Sequence, residues 1–195
     1  GTLFPYTTLF RSQLFDFTKR REYSFFGDGL VAHIGTAEPF CPRLSLLLAE
    51  AAKAAGGSVH PHGRFITIEE PRFSTKGESF TFRSWGMDII GMTTSPEAFL
   101  AREAEICYAV MAHVTDYDVW HETEEEVTVQ AVVRILKQNT ALAQKAIRAL
   151  VPELAKAERG CTCDMALATA ILTDRGVIPE ATKENLGPIT EKYLD

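Results

Sequence analysis

Three short apolar runs, each followed by a helix signal, leave this chain few folds to choose from. Residues 65–68 (FITI) carry the β-branched side chains of a strand. Thr75-Lys76-Gly77-Glu78 then has the form of a capping box, a hydroxyl at the N-cap and a carboxylate three residues on, opening a helix that runs to Gly86. Residues 88–92 (DIIGM) read as a buried strand. Ser95-Pro96-Glu97 caps the helix that follows: hydroxyl, then proline, then a carboxylate in the positive first turn. Residues 107–114 form a third buried strand, rich in Val, Tyr and Ala. Strands joined by single helices run parallel or nearly so. The order therefore predicts an α/β fold, a mixed, largely parallel sheet flanked by helices.

The flanks are punctuated less evenly. Pro39 and Pro42 bracket a helix start, residues 44–55 favour helix, and Gly56-Gly57 stops it. A long amphipathic helix runs from Thr128 to about Leu150, with Val129, Val132, Val133, Ile135 and Leu136 as its apolar stripe. Pro152 marks a break, and helices joined by loops follow. Residues 1–12 (GTLFPYTTLFRS) lack helical or strand periodicity and resemble translated adaptor sequence. They are read as a non-native leader, with a strand as the alternative and residues 13–195 as the folded part of one domain.

Composition narrows the partners. Twenty basic against twenty-six acidic residues leave a net charge of -6, which disfavours nucleic acid and anionic membrane surfaces. No apolar stretch reaches the roughly 20 residues that span a bilayer, and the amino terminus lacks a secretory pattern. Four cysteines in 195 residues make no disulfide framework, so a reduced, cytoplasmic, enzyme-sized domain is expected. Cys41 and Cys107 stand alone. Cys161-Thr162-Cys163 lacks partners at zinc spacing, as do His60 and His62, and no metal site is assigned. Ser74 and Ser95 sit in no nucleophile elbow.

In open α/β sheets, ligands collect beyond the carboxyl ends of the strands. After the first strand comes Glu69-Glu70-Pro71-Arg72-Phe73-Ser74, where Phe73 fits either a core ring or a ring stacked on a flat ligand. After the second comes Gly91-Met92-Thr93-Thr94 ahead of a helix N-terminus, a place that favours an anion. After the third comes Thr115-Asp116-Tyr117-Asp118. In an extended chain the two carboxylates point the same way, and like charges that close push one toward holding a proton. The alternative is a turn in which the Asp side chains make local hydrogen bonds.

At these residues the sequence resembles S-methyl-5'-thioadenosine phosphorylase, of the trimeric branch of the purine nucleoside phosphorylase family. The matching segments are AEPFCP (37–42), EEPRFST (69–75), DIIGMTTSPE (88–97), EICYAVMAHVTDYDVW (105–120) and EEVTVQAVVRILKQN (125–139). Five motifs in order, across about Gln13 to Leu150, make the resemblance specific. It implies phosphorolysis of 5'-methylthioadenosine to adenine and 5-methylthioribose 1-phosphate, with phosphate as co-substrate and no cofactor. Asp116 matches the acid at purine N7, and Asp118 its partner on the adenine amino edge. Phe73 matches the ring on the base face, and Ile90, Met92, Thr115 and Tyr117 fall among the substrate contacts. Thr93 matches a phosphate-binding hydroxyl, while Ser74 and Val129 match positions that set base and 5'-group preference. His33 matches a residue that reaches across a subunit interface, so a homotrimer is implied.

Three departures qualify the match. The family's opening strand, glycine-containing phosphate loop and Arg-His pair have no counterpart, since Gln13 matches a point well inside the domain. The resemblance then implies a phosphate site resting on Thr93, little or no phosphorolysis from these residues alone, and an exposed apolar edge that invites association. Glu70 stands where the family usually has Gly, and Gly91 where some relatives have Asn. Two other activities fit the same residues: a phosphorylase for methylthioinosine or other purine nucleosides, and a non-catalytic nucleoside-binding module.

Overall fold

The computed structural model describes residues 7–10, 13–60, 62–120 and 129–194; for 7–10, 129, 131 and 132 it describes the backbone alone. Two three-stranded sheets form the centre. One is wholly parallel: β2 (Gln13–Phe17) and β5 (Ile89–Gly91) flank β4 (Arg64–Ile68). In the other, β1 (Thr7–Phe10) pairs parallel with β3 (Ser58–His60) and antiparallel with β6 (Met111–His113). The third predicted strand therefore leaves the parallel series. It is also shorter than residues 107–114, and it pairs with residues 7–10, which take the strand form that was the alternative for them. The fold class is nonetheless the predicted one, with helices packed about a mixed, largely parallel set of strands.

The helices begin where local chemistry dictates. At α1 (Pro42–Ala54), Pro42 occupies a first-turn position where no N–H is missed, and the Cys41 sulfur accepts the Leu44 N–H at 3.4 Å. α2 (Lys76–Ser84) opens on the predicted capping box, with Thr75 Oγ1 accepting from Glu78 N–H and the Glu78 carboxylate accepting from Thr75 N–H at 2.8 Å. Gly86 ends that turn at φ 76°, a conformation that favours glycine. α3 (Thr94–Glu103) departs from expectation at its start. Ser95 is extended at φ −102° and ψ 137°, the backbone of a cap, yet its buried hydroxyl makes no capping bond.

α4 (Val129–Lys156) continues past Pro152 instead of breaking there. Its buried face shares only Ile135 with the described part of the predicted stripe, the side chains of Val129 and Val132 lying outside what is described. Ile135, Asn139, Ala146 and Leu150 point inward at near-helical spacing, while Val133 and Leu136 are exposed. Ala146 and Leu150 pack on Leu48, Ala49, Ala51 and Ala52 of α1, and small side chains on both helices allow the close approach. A second core lies under the parallel sheet, where Ile66 and Ile68 meet Phe82 of α2. The tail carries short 3₁₀ turns at Cys163–Met165 and Arg175–Val177, then α5 (Glu180–Leu194). No helix among the described residues is long and apolar enough to cross a membrane.

Candidate functional site

A cavity of about 960 Å³ runs along β4 and β5, from Arg64 and Asp88 at their amino ends to the loops beyond their carboxyl ends, and reaches His113 at the end of β6. The three predicted loops do converge there, Phe73 and Ser74 from the first, Met92 from the second beside Ile90 and Gly91 of β5, and Thr115, Asp116, Tyr117 and Asp118 from the third. Phe73 stands at the rim with its ring largely in solvent, 82% exposed. Thr93 is exposed and outside the cavity lining, at the position preceding α3. His33 is exposed too and does not line the cavity; its N–H is tied to Ala170 O at 2.8 Å. Val129 opens α4, and its side chain lies outside what is described, as do residues 121–128.

The two carboxylates do not sit on an extended chain. Asp118 adopts φ 59°, a left-handed conformation that Asp tolerates better than most residues, and its N–H donates to Asp116 Oδ1 at 2.9 Å. The segment is thus a turn with local Asp hydrogen bonds, and it presents the two side chains to different partners. Asp116 Oδ2 accepts the Thr115 hydroxyl at 2.8 Å. Asp118 Oδ2 accepts the buried Ser79 hydroxyl at 2.6 Å, with the Ser74 hydroxyl 3.3 Å from the same oxygen. Behind the turn, Asn139 of α4 donates to Val114 O at 3.4 Å.

Three contributors escaped the sequence reading. Ser79 lies four residues after the Thr75 cap, on the face of α2 that also buries Phe82; that helical spacing could have found it. His113 ends β6 beside the cavity, and both ring nitrogens are buried without a hydrogen-bond partner. Burial pushes its imidazole below the usual range, so it is neutral at neutral pH. Arg21 is the third. Its guanidinium donates to Met92 O at 2.6 Å and Ser95 O at 2.5 Å from one nitrogen, and its Nε donates to Glu69 Oε1 at 3.1 Å. Lys19 and Arg20 N–H groups close on Glu69 Oε2 at 2.7 and 3.0 Å. One arginine therefore braces the loops after β4 and β5 against each other. No local pattern marks it, because all its partners are about 47 to 74 residues away.

Gly91 has a packing reason for being glycine. A Cβ there would lie 2.5 Å from Phe65 Cζ, so the ring on β4 fills the space that a side chain on β5 would use. Trp120 closes the far side, with the Arg83 guanidinium 3.9 Å above its ring and Tyr117 edge-on at 6.3 Å.

A cavity along the parallel strands, lined by two Asp side chains, hydroxyls and aromatic rings, has room for a nucleoside-sized ligand. The family model described as the phosphorylase superfamily matches residues 9–152. The chain belongs to the phosphorylase superfamily. It is 51% identical over 174 residues to the S-methyl-5'-thioadenosine phosphorylase of Geobacter sulfurreducens, covering 89% of this chain and 60% of that one. It is 45% identical over 190 residues to the S-methyl-5'-thioadenosine phosphorylase of Koribacter versatilis, covering 97% and 65%. Among solved structures, a methylthioadenosine phosphorylase from an antarctic soil metagenomic library superposes with a TM-score of 0.90 at 38% identity, over 95% of this chain and 66% of that one. A methylthioadenosine phosphorylase from Schistosoma mansoni in complex with adenine gives 0.77 at 32%, over 84% and 65%. The chain thus spans 60% to 65% of the length of these two curated relatives.

Proposed function

We propose that this protein cleaves the N-glycosidic bond of 5'-methylthioadenosine with inorganic phosphate, giving adenine and 5-methylthioribose 1-phosphate. The carrying observation is that Asp116 and Asp118 share one cavity with Phe73, Ser74 and Met92, in a chain 51% identical to a phosphorylase of that name. As C1'–N9 breaks, the ribose gains positive charge and the purine negative charge. Phosphate oxygen attacks C1', the bonding pair leaves with the base, and Asp116 gives a proton or a hydrogen bond to purine N7. Asp118, held by the Ser79 hydroxyl, accepts from the exocyclic amine and repels a 6-oxo group. Phe73 covers the base face, and Met92 and Tyr117 enclose the ribose. Thr93 offers its hydroxyl to phosphate where the backbone N–H groups of the α3 start favour an anion.

No cofactor enters this chemistry, and the cytoplasm is its expected place. A homotrimer goes with it, with the exposed His33 reaching a neighbouring cavity; a sedimentation mass of one chain would exclude that part. The central test pairs calorimetry with product analysis. Adenine is expected to bind better than hypoxanthine, and adenine release from 5'-methylthioadenosine to rise with phosphate, slowly where Thr93 is the main phosphate ligand. Equal binding of hypoxanthine would overturn the base assignment. Adenine bound but never released would leave a binding module.

A further inference from the structure

The fold gathers all four cysteines. Cys41, Cys107, Cys161 and Cys163 place their sulfurs within 4.8 Å of one another, and none of the four lines the cavity. They arrive from three separate places: the N-cap of α1, the connection between α3 and β6, and the edge of a 3₁₀ turn in the tail. Cys41 and Cys163 are buried, Cys107 and Cys161 half-buried, and all are free thiols. The Cys107 and Cys161 sulfurs stand 3.4 Å apart.

Each arm is held by bonds outside the cluster. Cys41 N–H donates to Tyr108 O at 2.7 Å, which fixes the start of α1 against the segment carrying Cys107. Glu105 anchors the tail: its carboxylate accepts Leu167 N–H at 3.0 Å, the Tyr193 hydroxyl at 2.5 Å and Lys192 Nζ at 3.2 Å. The Leu44 N–H on the Cys41 sulfur is the kind of outer hydrogen bond that orients a metal-bound thiolate.

The spacing selects among uses for four thiols. Zinc held by four cysteines at about 2.3 Å has sulfur–sulfur edges of about 3.8 Å, whereas a disulfide requires about 2.05 Å. Sulfurs at 3.4 Å for one pair, and within 4.8 Å throughout, straddle that edge. Soft thiolates select zinc over magnesium or calcium, and four protein ligands leave no open position for a reacting water.

We propose that Cys41, Cys107, Cys161 and Cys163 form a closed, structural four-thiolate site for zinc that pins the tail to the body of the domain. Up to four thiol protons pass to solvent as the sulfurs donate their lone pairs to the ion, and no electron changes hands. Cys161 and Cys163 lie beyond residue 152, the end of the stretch that the family model matches. The site therefore ties a segment outside that stretch to Cys41 and Cys107 within it.

The test uses the full chain, purified under reductant and offered zinc or cobalt. One ion per chain is expected, with a thiolate-to-cobalt charge-transfer absorption of tetrahedral type. All four thiols should resist alkylation until a chelator is added, and chelation should lower the melting temperature. Cys161→Ser should weaken zinc binding by more than about tenfold, while Asp118→Asn, in the cavity, should leave it unchanged. The alkylation pattern of the parent chain decides the matter even if Cys161→Ser does not fold. Reduced protein that takes up neither ion, or that binds zinc with fewer than four thiols protected, would overturn the proposal. So would disulfide pairing of the cluster with no metal uptake after reduction.

Discussion

Asp116 and Asp118 are two residues apart, yet the turn between them divides their work. Asp116 faces the cavity from a bond to its own neighbour Thr115, while Asp118 is fastened to α2 through Ser79. Asp116→Asn keeps the shape and a hydrogen-bonding side chain but has no acidic proton to give. Its adenine release is expected to fall by about 10²- to 10⁴-fold relative to the parent, and steady-state rates would measure it. Gly91 poses a purely steric question. Gly91→Ala would set a methyl 2.5 Å from the Phe65 ring, so either the ring or the strand must move. A loss of about 1–3 kcal/mol is expected from overpacking. Urea denaturation would read it, and a companion Phe65→Leu change should recover part of the loss.

At the scale of elements, the site depends on loops that follow β4 and β5 and are braced from outside the sheet. Arg21 does this from the segment after β2, with 15% of its side chain in solvent. Arg21→Met would take the guanidinium donor from the Met92 and Ser95 carbonyls and leave the Glu69 carboxylate with the Lys19 and Arg20 N–H groups alone. The expected cost is about 1–3 kcal/mol in chemical denaturation, with weaker binding of adenine. Arg21→Lys should rescue little, because an ammonium cannot reproduce a fork that spans two loops. α2 has the opposite character. Its capping box and the Arg72–Glu78 pair at 2.6 Å are local, so it was readable from Thr75 and Glu78 alone. α4 was readable in its start but neither in its end, which lies beyond Pro152, nor in its orientation. Its valines and leucines surround the helix, and only packing against α1 selects Ala146 and Leu150 as the inward residues.

For the whole molecule, acidification should act in two stages. His113 is held below its ordinary value by burial, so unfolding exposes an imidazole that takes a proton more readily. Stability is then full above the unfolded value near 6.5 and falls as pH drops below it. Glu69 is held low, chiefly by the Lys19 N–H and then by Arg21, and Glu78 is held down to about 2, chiefly by Arg72. Their contribution is present above the ordinary glutamate value of 4.5 and is lost as pH falls through the lower folded values. Melting temperature against pH should therefore decline first below about 6.5. His113→Asn should remove that first decline and leave the second. An identical profile in the variant would contradict the assignment.

Whatever depends on neighbours in the chain was set by sequence alone: the helix starts at Pro42 and Thr75 and the β-prone runs before the loops. Capping, β-branching and turn chemistry act over a few residues, so a linear reading captures them. Tertiary structure alone decided what chain ends and crossovers bring together. It paired β6 with β1, turned Asp118 toward Ser79, laid Arg21 across two loops, and drew four sulfurs from three segments into one cluster. Those are contacts between residues dozens of positions apart. Each costs the entropy of closing a long loop, which burial in a common core offsets, and no local pattern encodes that balance.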